Sequence, residues 1–130
     1  MLAPNDARIT GLRCVEAETG SAAGVIMAGS PLDVLMSVEA GASLFATGAR
    51  FAAGVQVEGA GTTRSELLEA RLGDVEWPLA AAELRFRLSG EVTADLADWL
   101  LGVAGFMRVN AAPPFLVSVA RGPDVYVAPR

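Results

Sequence analysis

Few residues of this 130-residue chain could do chemistry. There is no His, and all ten cationic residues are Arg. Histidine bases, His-ligated metals, Schiff-base lysines and P-loop lysines are therefore excluded. Carboxylates remain. Glu66, Glu69, Asp74 and Glu76 cluster in sequence, and paired carboxylates can transfer protons or bind calcium. No D-x-D-x-D-G loop accompanies them, and Arg64 and Arg71 interleave with them. A solvated face is the expected role. An enzyme would have to work with such carboxylates and Arg alone. The serines have no His to activate them and no G-x-S-x-G elbow. Gly59 to Ser65 (GAGTTRS) lacks the lysine of a phosphate-binding loop and reads as a turn. Neither a metal nor a cofactor is called for, and no catalytic residue is assigned.

The partner classes narrow in the same way. Fifteen acidic residues against ten basic ones give a net charge of −5, a poor match to nucleic acid. Cys14 is the one cysteine, so no intrachain disulfide can form, and a small buried hydrophobe is expected there. The N-terminus, Met1 to Asp6, lacks the features of a signal peptide, and no apolar run reaches the length of a membrane span. A soluble cytoplasmic protein without membrane insertion is the expectation. Hydrophobic residues make up 52% of the chain, enough for one core, but many are Ala. Arg without Lys, and abundant Ala and Gly, resemble the codon bias of a GC-rich bacterial genome.

Short strands must position whatever this chain presents. Residues 8–17 read as a first strand, 18–24 as a loop, and Val25–Met27 as a brief strand. In 33–40, Val34, Met36, Val38 and Ala40 alternate with Asp33, Leu35, Ser37 and Glu39, as in a half-buried strand. In 50–58, Phe51, Ala53, Val55 and Val57 alternate with Ala52, Gly54, Gln56 and Glu58. Residues 66–72 fit strand or helix, with strand favoured by the neighbours. Residues 81–88 alternate again, after a Trp77-Pro78 anchor. Thr93 to Leu101 gives the helix signal: Thr93 as N-cap, Leu96, Trp99 and Leu100 on one stripe, and Gly102 as the stop. Asp95 and Asp98 then fall where a helix dipole favours acids. Residues 103–109 read as a strand, and 115–127 as a last one kinked at Gly122-Pro123. The expectation is a single all-β domain over residues 1–130. It has seven or eight antiparallel strands with one short helix near 93–101.

Four segments carry a resemblance. Pro31 to Ala40 (PLDVLMSVEA) and Leu44 to Val57 (LFATGARFAAGVQV) are similar to the paired B and C strands of bacterial immunoglobulin-like domains. Leu84 to Leu88 (LRFRL) resembles the next sheet-crossing strand, and Asp98 to Val109 (DWLLGVAGFMRV) the corner leading into strand F. The resemblance implies an immunoglobulin-like β-sandwich. The chain departs from the pattern where the corner tyrosine would stand, because the closest residue is Phe106, and it lacks the cysteine pair. Such sandwiches host many roles, so the fold alone implies no function.

The expected function is a non-enzymatic structural or protein-interaction module. It would self-associate or dock on a protein partner through sheet faces or edge strands. Ala52 and Gly54 stand where a solvated sheet face would carry polar groups, and Trp77, Phe115 and Tyr126 are candidate interface anchors. The alternative is a small-ligand or lipid-binding domain, with Met27, Met36, Phe51, Phe86 and Met107 lining a pocket.

Overall fold

A computed structural model describes residues 6–46, 49–60, 65–77, 81–110 and 116–130. Strands dominate: β1 (Ala7–Glu16), β2 (Val25–Met27), β3 (Leu32–Ala40), β4 (Arg50–Ala60), β5 (Ser65–Glu76), β6 (Ala81–Leu88), β7 (Leu100–Asn110), β8 (Leu116–Arg121) and β9 (Val125–Ala128). Two short helices interrupt them, α1 (Ala42–Ala46) and α2 (Gly90–Asp95). The strands form two sheets. The smaller runs β1-β3-β6, and the larger runs β2-β9-β7-β4-β5 with β8 also on β7. This is an all-β sandwich of two mostly antiparallel sheets, not closed into a barrel.

The alternation read from the sequence sets the core. Val34, Met36 and Val38 of β3, with Phe86 and Leu88 of β6, bury one face of the smaller sheet. Phe51, Ala53, Val55 and Val57 of β4, with Leu101, Val103, Met107 and Val109 of β7, supply the opposing face. Each large side chain closed off in this way contributes about 1.5–3 kcal/mol. The segment at 66–72 is strand, paired with β4 from Ala60↔Ser65 to Arg50↔Glu76. Its helix-forming composition gives way to a long-range ladder.

Several expectations are corrected. Nine strands are present among the described residues, and β2 pairs with β9 in parallel. The long last strand is two strands, β8 and β9, split at Gly122, Pro123 and Asp124. β3 and β4 do not pair with each other. β3 lies between β1 and β6, and β4 between β5 and β7. Leu44 to Ala46, expected as a mere apolar stretch, falls in α1.

The helix expected at 93–101 lies earlier. Ser89 caps α2, its hydroxyl accepting from Val92 N–H at 3.4 Å. Thr93 is inside the helix and fully buried. Its hydroxyl donates to the Ser30 carbonyl at 2.8 Å and accepts from Gly29 N–H at 3.1 Å. Asp98 then turns the chain with φ of 70°, and Leu100 already belongs to β7. The apparent stripe of Leu96, Trp99 and Leu100 arises from a turn followed by a strand. Asp95 therefore ends the helix and Asp98 lies beyond it, so the dipole does not account for either; Glu91 occupies the first turn.

Candidate functional site

The outer face of the larger sheet is built by side chains opposite the core-facing ones. Register places Ala52, Arg108 and Val117 in one row across β4, β7 and β8. Gly54, Phe106 and Val119 form the next row, and Gln56, Ala104 and Arg121 the one after. At the far end, Leu100 lies opposite Tyr126 of β9, which lies beside Val25 of β2. The large apolar side chains left exposed among the described residues are Val25, Met27, Leu100, Val117 and Val119, and all of them belong to this face. Val117 and Val119 are 67% and 70% exposed.

A trough crosses the face along β7. β7 pairs with β8 over Ala104–Val109 and with β9 over Leu100 and Leu101, and its partners change at Gly102 and Val103. Gly122 N–H bonds the Val103 carbonyl at 2.9 Å as the chain crosses from β8 to β9. Small residues floor the gap, Gly102 and Ala104, and Gln56, Glu58, Arg121 and Asp124 rim it, enclosing about 400 Å³. A second hollow of about 310 Å³ continues it over Ala104 and Gly105 to Phe106 and Val119. Proline and glycine at 122–123 thus make a working break: the sheet opens where they let the chain change strand.

The smaller sheet carries the charged cluster. Asp33 is fully buried, although alternation had placed it on the solvent side of β3. Arg87 lies directly opposite on β6, with Nε donating to Oδ1 at 2.7 Å and Nη2 to Oδ2 at 3.1 Å. Arg85 Nη1 adds a bond to Oδ2 at 3.0 Å. The Arg87 hydrogen bonds hold the Asp33 carboxyl below its usual range, against the opposing effect of burial, and the charges of both arginines add to this. Sequence reasoning missed this group. Its one signal was the register itself, an acid on β3 opposite the second of two alternate arginines on β6. On the same sheet Arg13 bridges Glu83 at 3.3 Å.

The residues singled out as interface candidates are dispersed. Ala52 and Gly54 lie on the outer face described above, and so does Tyr126, which donates to Asp98 Oδ1 at 2.5 Å. Trp77 is buried and stacks on Phe51, with centroids 4.4 Å apart and 28° between ring planes. Phe115 lies outside the described residues. Of the supposed pocket lining, Met36, Phe51, Phe86 and Met107 are packed core, whereas Met27 is on the outer face. Cys14 is buried, which pushes its thiol up to about 11. Glu76 pairs with Arg50 at 3.6 Å, and the described residues hold no group of three metal-ligating side chains. No described helix is long and apolar enough to cross a membrane.

No protein-family model matches this chain, and a search of curated proteins finds none similar to it. Function must therefore be argued from these surfaces.

Proposed function

We propose that this protein is a non-enzymatic interaction module on an immunoglobulin-like sandwich, and that it binds an extended segment of another protein across the outer face of its larger sheet. The observation carrying this is the gathering of Val25, Met27, Leu100, Val117 and Val119 on one face. Exposed apolar side chains scattered singly need no explanation, but their concentration on one face points to a docking surface. The immunoglobulin-like assignment is supported by strand order. β1-β3-β6 facing β8-β7-β4-β5 follows the chain order A-B-E facing G-F-C-C′.

The trough favours a strand-like occupant. From Leu100 to Phe106 it follows one strand for about 20 Å at about 3.4 Å per residue. Its β8 end is apolar, and its other end holds the carboxylates of Glu58 and Asp124 against the single guanidinium of Arg121. A segment with alternating apolar residues and one basic residue toward Glu58 and Asp124 complements both ends. Some of the charges elsewhere are engaged in structural pairs, Asp33 with Arg85 and Arg87, Glu83 with Arg13, and Glu76 with Arg50.

Selection from a phage-displayed library of random peptides tests this. Enriched peptides should share the alternating apolar pattern and lose at least about tenfold in affinity on Val119→Lys or Val117→Lys. Both positions are exposed, so stability should change by less than about 0.5 kcal/mol. Failure to enrich any peptide, or equal binding by both variants, would overturn the proposal.

A further inference from the structure

We infer that two copies of this chain pair through the edge of the smaller sheet. β6 meets β6 of the second copy antiparallel, with the twofold axis at Leu84. This goes beyond the docking face above and uses a different surface, so the two stand or fall separately.

Among the described residues the edge is open and regular. β6 is the last strand of the β1-β3-β6 sheet, and among the described residues it pairs only with β3. That pairing runs from Glu39↔Ala81 to Leu32↔Leu88 without a register shift, and no proline lies within β6. β6 has no bulge, proline or inward charge to guard this edge, and its protection is limited to the outward charges Glu83, Arg85 and Arg87. On its core side Phe86 and Leu88 are closed off, but Ala82 and Leu84 are only partly buried. A further strand beside β6 would cover that remainder.

Charge selects the occupant and the register. The outward residues of β6 are Ala81, Glu83, Arg85 and Arg87. Antiparallel partners must keep core-side residues opposite core-side residues, which places the twofold axis on a residue. An axis at Glu83 sets Glu83 against itself, and one at Arg85 sets Arg85 against itself. An axis at Phe86 opposes Arg85 with Arg87. With the axis at Leu84, Glu83 of each copy faces Arg85 of the other, twice, and Ala82 faces Phe86 on the core side. Such self-complementarity is what an isologous contact requires.

Both side chains are available. Those of Glu83 and Arg85 are 46% and 58% exposed. Glu83 meets Arg13 through Oε2, and Arg85 meets Asp33 through Nη1. Oε1 of Glu83 and Nη2 of Arg85 remain for the facing copy. The result is a charge row of alternating sign across the joint, Arg13, Glu83, then Arg85 and Asp33 of the second copy.

Light scattering over a dilution series, with charge-reversed variants, tests the pairing. The wild-type chain should dimerise. Glu83→Arg alone and Arg85→Glu alone each create two like-charge pairs per dimer. Each should weaken association by at least about tenfold, about 1.4 kcal/mol. Mixing the two variants restores both opposite-charge pairs, so a one-to-one heterodimer should appear only in the mixture. Both variants should fold, because the Glu83–Arg13 pair is exposed and Asp33 keeps both bonds from Arg87; circular dichroism checks this. A wild-type monomer at all concentrations, a dimer indifferent to Glu83→Arg, or folded variants that fail to associate on mixing would each overturn the inference. Val117→Lys and Val119→Lys should leave the dimer intact, which separates this result from the docking face.

Discussion

Arg87 grips Asp33 across the β3–β6 ladder through two bonds, Nε to Oδ1 at 2.7 Å and Nη2 to Oδ2 at 3.1 Å. The acid is fully buried while the arginine is half-exposed, so the pair is asymmetric. Removing the arginine strands a buried charge, whereas removing the acid frees two arginines to reach water.

Stability should therefore depend on pH through Asp33. Its folded pKa lies below the unfolded value of about 3.9, so its contribution is complete above that pH. It is lost as pH falls through the depressed folded value. Thermal melts in acid should show the wild-type chain losing stability below about pH 4 more steeply than Asp33→Asn. At neutral pH Asp33→Asn should cost about 1–3 kcal/mol, discounted from a fully buried pair because the guanidiniums are half-exposed. Arg87→Gln should lower the melting temperature more than Arg85→Gln, because Arg87 makes two of the three bonds.

Thr93 ties α2 to the turn at Gly29 and Ser30. Thr93→Val keeps the shape but leaves the half-buried Gly29 N–H and Ser30 carbonyl without the hydroxyl. Denaturant melts should show a loss of about 1–3 kcal/mol. Thr93→Ser keeps both bonds and should lose less than about 1 kcal/mol.

Gly59 packs its backbone against the indole of Trp99, where a Cβ would collide with the ring. Gly59→Ala should cost about 1–3 kcal/mol by overpacking. Trp99→Leu is destabilising through lost ring burial, but the double variant should cost less than the sum, since the smaller side chain relieves the clash. Gly105→Ala meets the flexible end of Met36 at 2.7 Å and should be milder.

Tyr126 donates its phenol proton to Asp98, and that hydrogen bond, followed by burial and the nearby negative charge, raises its pKa. The phenol contributes to stability below its ordinary pKa of about 10 and loses that contribution as pH rises through the folded value. Spectrophotometric titration should place the Tyr126 midpoint above that value, and Asp98→Asn should bring it back toward the ordinary one.

Strand positions were largely legible in the sequence. Alternation marked the core faces of β3, β4 and β6 because a period of two is a property of the strand itself. Alternation likewise put Ala52 and Gly54 together on the other side of β4, facing away from the core. Alternation says which residues share a face, however, and not whether that face will be covered. Asp33 shared a face with Ser37 and Glu39, yet it became buried because β6 places Arg87 opposite it. Thr93 looked like a cap and is a buried tie, because Gly29 and Ser30 lie against it from more than sixty residues away in sequence.

The sequence by itself determined the chemistry excluded and the strands available. Side-chain types and local period carry that information without any neighbour. Only the tertiary structure decided that five apolar side chains from three strands share one outer face, and that β6 is an edge. Both depend on which strands are adjacent, and long-range pairing sets that adjacency.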